Sequence, residues 1–372
     1  MAVHNTTDPA QAQRALSTWL AGKLPAAERL EVADVVIPAS SGLSNETILF
    51  SANWSEDGAE RRRRYVARVQ PAGPAVHPFY DLAAEARLLR TLHAEGTVPV
   101  PEVHWHEPDA AVLGAPFTVM THVEGRVPSD DPPYTAAGWL LDLSVEQRAS
   151  LCHNALAALA AIHRVDWRAE GLEWLDQPRY GATGLDQQLG YVRNAYDWTA
   201  AGGVRNPTVE AGFQWVRDNR PSGDETIVLT WGDARIGNML FAPDLSVAAV
   251  LDWELAALAG PEMDLGWWLF LQRHHTAGIG MPLPTGLLDR DAVVTRYHEL
   301  TGYKPQNIDF YEIFATLRGA IQMQRVGGLL IDAGLVPPEA PIRTANPANI
   351  LLAELLGLPA PEGAAQSWIG NR

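Results

Sequence analysis

The chain has 372 residues, 47% hydrophobic and 19% charged, with a formal net charge of −16 at pH 7. This is the composition of a globular chain long enough for a large core in two lobes, and the acidic balance argues against a nucleic-acid partner while suiting a cationic substrate. No apolar run reaches the length of a membrane span, residues 1–30 lack a secretory apolar segment, and the single cysteine, Cys152, excludes an internal disulfide, so a cytoplasmic protein without membrane contact is expected.

Residues 8–21 read as a helix, with Asp8 as its cap and Pro9 at its first position. Strands follow at 32–38, 46–52 and 65–70, with a turn at Asp57-Gly58. Arg61 to Arg64, beside Glu56, Asp57 and Glu60, read as a solvated hairpin turn. Residues 79–94 read as a helix with Leu82, Ala86, Leu89 and His93 on one face, and Glu85 also lies on it. A stiff turn at 97–101 leads to strands at 102–105 and 117–125. After Gly125 the composition shifts to a polar, proline-containing loop at 129–134. The chain is therefore expected to divide into 1–124 and 125–372.

Helices are expected at 145–165, 185–201, 209–219, 289–301 and 310–330, with a last one at 346–356. His163 reads as a hydrogen-bonded structural histidine, since no metal partner stands at ligand spacing. Asp264, in the run Met263-Asp264-Leu265-Gly266-Trp267-Trp268, reads as a helix cap that also braces a neighbouring loop.

The stretch that carries chemistry is Thr230-Trp231-Gly232-Asp233-Ala234-Arg235-Ile236-Gly237-Asn238, followed by Asp252 after another apolar run. Short strands at 227–229, 239–241 and 247–251 would bring Asp233, Asn238 and Asp252 together by a hairpin. One carboxylate can orient a hydroxyl nucleophile, while the amide oxygen and the second carboxylate hold Mg²⁺ against a nucleotide's phosphates. Taken alone, Asp and Asn here would equally serve as turn residues. Arg235 has two readings, a contact to the γ-phosphate or acceptor and a salt bridge to a loop carboxylate.

Gly-Asp, four residues, Asn, then Asp after a short strand resembles the catalytic segment of the aminoglycoside phosphotransferase family. The resemblance covers about 35–356. It implies an α/β (α+β), bilobal protein-kinase-like fold, with a small N-terminal antiparallel sheet lobe and a larger, mostly helical C-terminal lobe. It implies ATP or GTP with Mg²⁺, and transfer of the γ-phosphoryl group to a small-molecule hydroxyl. In that template Asp233 is catalytic, and Asn238 and Asp252 are the metal ligands. The segment 40–45 sits where a nucleotide-covering loop is expected, giving Gly42 and Ser44 as phosphate contacts, or an ordinary hairpin turn. Arg68 stands where the family places a phosphate-binding lysine, and Glu85 is its expected partner. Backbone groups from Thr121 to Val123 would meet the adenine edge. Trp231 stands where the family usually has histidine, a supporting position.

The acceptor is not written in any motif. Aminoglycosides, amino alcohols and hydroxyacyl thioesters are all compatible with the family. A kinase-like nucleotide-binding protein without phosphotransfer is the competing reading, motivated by Arg68 and Trp231. Oligomeric state leaves no mark in the sequence.

Overall fold

The computed structural model describes residues 7–38, 46–71, 73, 75–223 and 225–363. The chain forms two compact units, one of Met1–Ala94 with Val100–Val123, the other of Glu95–Pro99 with Glu124–Arg372. The short stretch before Val100 joins the second unit, where the Val250 amide donates to Pro99 O at 2.8 Å.

The first unit begins with α1 (Pro9–Lys23), capped by Asp8, whose side chain accepts the Gln11 amide at 2.7 Å. Five antiparallel strands follow: β1 (Glu28–Val36), β2 (Glu46–Glu56), β3 (Ala59–Val69), then β4 (Val103–Glu107) and β5 (Phe117–Thr121), with α2 (Leu82–Glu95) between β3 and β4. The spatial order is β1-β2-β3-β5-β4. Alternation buries Tyr65, Ala67 and Val69 on one face of β3, where they join Ile48, Phe50, Phe117 and Val119 and the α1 residues Leu16, Trp19 and Leu20. Arg68 and Val66 point to the other face.

The four arginines do not form a turn. The β2–β3 register runs unbroken from Glu46↔Val69 to Glu56↔Ala59, placing Arg61 to Arg64 within β3, exposed. The two-residue turn at Asp57-Gly58 has positive φ at both positions, 51° and 76°, which matches strand twist and lets pairing continue to the hairpin tip.

The second unit contains α3 (Val145–Arg164), α4 (Gly184–Thr199), α5 (Pro207–Asp218), α6 (Glu262–His274), α7 (Arg290–Thr301), α8 (Ile308–Asp332) and α9 (Pro347–Leu355). Its strands are β6 (Val228–Thr230), β7 (Met239–Phe241), β8 (Val247–Val250) and β9 (Ala257–Ala259), paired as β6–β9 and β7–β8. β9 is absent from the sequence reading, because Ala-Leu-Ala carries no strand pattern of its own. The core gathers α4, α5, α6 and α9 around α8, with Tyr196, Trp267, Phe270, Phe314 and Leu317 buried. No helix among the described residues is long and apolar enough to cross a membrane.

Candidate active site

The site is built on the loop that follows β6. Thr230 ends that strand opposite Ala257, and its hydroxyl donates to Ala257 O at 3.0 Å. The chain then turns at Gly232, with φ +88°, and a Cβ there would lie 2.1 Å from Leu255 O. Only glycine fits both the backbone conformation and the space.

Asp264 fixes this turn. One carboxylate oxygen accepts the Gly232 amide at 2.8 Å, and the other accepts the Trp231 amide at 2.7 Å and His163 Nε2 at 2.9 Å. Because a carboxylate only accepts, His163 Nε2 carries the proton, and Nδ1 faces the Tyr297 hydroxyl at 2.7 Å. Burial, then the Asp264 charge, pushes that hydroxyl's pKa upward. Asp264 does not cap its own helix as expected. It lies inside the first turn of α6, with Pro261 at the N-cap, and its side chain is spent on the amides of the 231–232 loop.

A short 3₁₀ turn, Ile236–Asn238, brings the chain back on itself, with the Asn238 amide donating to Arg235 O at 3.1 Å. Asn238 Nδ2 therefore reaches Asp233 Oδ2 at 2.6 Å and Asp233 O at 3.2 Å. Trp267 Nε1 donates to Asp233 Oδ1 at 2.6 Å, and Arg235 Nε to Oδ2 at 3.2 Å. The Asp233 side chain is 20% exposed, so part of it faces solvent. Burial raises its pKa to about 6, and the Asp252 charge adds to this, against the lowering by Arg318 and the two N–H donors.

β7 and β8 pair Met239 with Val250, and the Leu251 amide donates to Asn238 O at 2.9 Å, so Asp252 emerges one residue beyond. Asp252 has φ +57°, a left-handed conformation. Trp231, fully buried, donates its indole N–H to Leu251 O at 2.8 Å and ties the strand that leads to Asp252 to the loop. A tryptophan in the usual histidine position thus serves as a support.

The salt bridge read for Arg235 is present in the structure. The guanidinium contacts Asp130 through Nη1 as well as Asp233 through Nε. Beside it lies a cavity of about 20 Å³ lined by Asp130, Tyr134, Arg235 and His275.

The first-unit residues stand apart from this cluster in the chain. Arg68 is half-buried on β3, opposite Thr47 and Thr118, and Glu85 is buried on α2. The Thr121 amide donates to Glu102 O at 2.9 Å and the His122 amide to Arg64 O at 3.0 Å, so both are engaged within the unit. Val123 is the unit's last residue. Gly42 and Ser44 lie outside the described residues. No group of three or more His, Cys, Asp or Glu is arranged to hold a metal among the described residues. Asn238 and Asp252 nevertheless offer two hard oxygen donors. Since Asn238 Nδ2 must face the Asp233 carboxylate, its oxygen faces away and is available, which fits a Mg²⁺ ion completed by phosphates and water.

The family model described as the phosphotransferase enzyme family matches residues 35–303. The chain belongs to that family. Its structure is similar to that of a Ralstonia eutropha protein assigned to the aminoglycoside phosphotransferases, with a TM-score of 0.64, 23% identity, and coverage of 92% of this chain and 98% of that one. It is also similar to a thermostable mutant of aminoglycoside phosphotransferase APH(4)-Ia in ternary complex with AMP-PNP and hygromycin B, with a TM-score of 0.57, 16% identity, and coverage of 92% and 98%. These likenesses establish the protein-kinase-like fold. Enzymes of this family move phosphoryl groups to hydroxyls of small molecules, and this chain is an enzyme of that class.

The curated relatives have other names. An Arabidopsis thaliana protein named probable acyl-CoA dehydrogenase IBR3 is 28% identical over 86% of this chain and 39% of its own length. The Gallus gallus acyl-CoA dehydrogenase family member 11 is 32% identical over 61% of this chain and 27% of its own length. The phosphotransferase chain thus corresponds to well under half of either relative.

Sequence reasoning missed three residues of this phosphotransferase's site. Trp267 stands three residues after Asp264 on α6, a spacing that puts both on one face, so the pair was findable. Arg318 interrupts an otherwise apolar run of α8, the signal of a buried charge with a task. It donates from Nη2 to Gly232 O at 2.7 Å and lies 4.0 Å above the Trp267 ring. Asp130, in a polar loop, gave no signal.

Proposed function

We propose that the chain transfers the γ-phosphoryl group of ATP or GTP to the hydroxyl of a small metabolite, with a hydroxylated acyl-CoA thioester as the favoured acceptor. One observation carries the reaction: Asp233, partly open to solvent, is held by three N–H donors beside an asparagine whose amide oxygen is turned away from it. Asp233 orients the acceptor hydroxyl and takes its proton. The acceptor oxygen bonds to the γ-phosphorus, and the bond to the β–γ bridging oxygen breaks, releasing the nucleoside diphosphate. Asn238 and Asp252 would hold Mg²⁺, which neutralises phosphate charge.

In the first unit, Arg68, paired with Glu85, is proposed to steady phosphates, with Gly42 and Ser44 contributing backbone contacts. Arginine keeps the charge of the expected lysine and adds bidentate geometry. Backbone groups at Thr121 and Val123 are proposed to meet the base. The acyl-CoA acceptor is supported by the names of the relatives that share this segment. The competing acceptor is an aminoglycoside, the kind of ligand bound in the APH(4)-Ia complex. A cytoplasmic location belongs to the same proposal.

The test is nucleoside diphosphate release with Mg·ATP and Mg·GTP, screened over hydroxyacyl-CoA thioesters and aminoglycosides. Release that requires a hydroxyacyl-CoA and vanishes in Asp233→Asn supports the reading. Release only with aminoglycosides replaces the acceptor. Failure to release with any acceptor, alongside a Mg·nucleotide thermal shift, favours a binding protein without transfer.

A further inference from the structure

Asp233 has two carboxylate oxygens, and each can accept about two hydrogen bonds. Oδ2 already has two donors, Asn238 Nδ2 at 2.6 Å and Arg235 Nε at 3.2 Å. Oδ1 has one, the Trp267 indole N–H at 2.6 Å. The remaining acceptor position is therefore on Oδ1, next to the indole.

The indole itself is held from behind. The Arg318 guanidinium lies 4.0 Å above the Trp267 ring, and its Nη2 donates to Gly232 O at 2.7 Å. Arg318 thus grips the backbone just before Asp233 and the ring that contacts its carboxylate. A cation over an indole face draws electron density from the ring and strengthens the N–H as a donor. Trp267 is 4% exposed and Arg318 is 7% exposed, so neither is a surface contact.

We propose that Trp267 is a positioning residue for phosphoryl transfer: its indole N–H fixes the Asp233 carboxylate so that Oδ1 receives the acceptor's proton, and Arg318 holds the indole in place. This rests on the phosphotransferase reading. It assigns to one atom the proton transfer that the general mechanism leaves to either oxygen.

Two replacements in the full chain separate this role from core packing. Trp267→Phe keeps a ring under Arg318 and removes the donor. Benzothienylalanine at position 267 keeps the bicyclic shape and places sulfur where the N–H stood, so it folds even if the phenylalanine variant does not. In both, kcat for the acceptor, and for slow nucleotide hydrolysis by water, is expected to fall about ten- to a hundredfold with the nucleotide KM unchanged, because a misoriented base costs the chemical step and not binding. A benzothienylalanine protein with wild-type kcat overturns the proposal. So does one whose loss appears only as a raised nucleotide KM. The phosphotransferase reading fails separately, when the wild type turns over neither acceptor nor water. The bond is then read by NMR with ¹⁵N-labelled tryptophan. An indole N–H signal that Asp233→Ala does not move overturns the contact, and a signal shifted upfield by that substitution supports it.

Discussion

Asp264 accepts the backbone amide of Gly232 at 2.8 Å, across 32 residues of sequence. With the Trp231 amide and His163 on its other oxygen, it satisfies three buried donors at once. Asp264→Asn would turn an N–H₂ toward one of these donors, and Asp264→Ala would leave all three unpaired. Leaving buried donors unpaired costs about 1–3 kcal/mol each, so about 3 kcal/mol or more for the three. Urea unfolding should show Asp264→Ala destabilised by that order, with Asp264→Asn only somewhat less affected. A change under about 1 kcal/mol would show that water replaces the carboxylate.

Two glycines of the same loop should respond to alanine to very different degrees. At Gly232 the added Cβ meets backbone, Leu255 O at 2.1 Å, and the φ of +88° is itself strained for alanine. Gly232→Ala should cost about 3 kcal/mol or more, or fail to fold. At Gly237 the nearest atoms are side-chain ends, Arg235 Nη1 at 2.7 Å and Asp130 Oδ1 at 2.8 Å. Gly237→Ala should displace the Arg235–Asp130 pair at a cost near 1 kcal/mol, since the pair is partly exposed. Thermal unfolding of the two variants side by side checks the contrast.

The site was legible where chemistry is local in sequence. Asp233, Asn238 and Asp252 lie within 20 residues, and the apolar runs around them predicted β7 and β8. Trp267 and Arg318 carried local signals, a shared face with Asp264 and a charge in an apolar run, but their partners were not legible, because the contacts span 34 and 86 residues. The same holds for the arginines of β3. Local charge suggested a turn, while the register with β2, a non-local property, made them strand. Asp264 was read both as a cap of its own helix and as a brace of the catalytic loop, and only the brace is formed, since helix position alone favours capping.

Adjacent histidines, His274 partly and His275 fully buried, give the second unit a pH dependence. Burial lowers the His274 pKa to about 4 from its ordinary 6.5. His275 is also lowered well below 6.5, by burial and by the His274 and Arg235 charges. Unfolded, both take up protons below about pH 6.5, and folded they resist. Their contribution is therefore fully present above 6.5 and lost as pH falls toward 4. For His274 alone the loss between pH 7 and pH 5 is about 2 kcal/mol. Denaturant midpoints across that range should fall less steeply in His274→Gln than in the wild type. Parallel slopes would show that water already reaches the ring.

Asn238 has two separable ends. Its Nδ2 donates to Asp233 Oδ2 at 2.6 Å, while its oxygen is the proposed metal ligand. Asn238→Asp keeps an oxygen ligand, with added charge, and loses the donor. Two carboxylates at that separation cannot both ionise, so a proton is retained between them and Asp233 is a poorer base. Mg·nucleotide should therefore still raise the melting temperature of Asn238→Asp, while turnover falls about a hundredfold. Asn238→Leu loses both ends and should lose the thermal shift as well. Equal loss of nucleotide binding in the two variants would mean that the amide orientation, and not its oxygen, sustains the metal site.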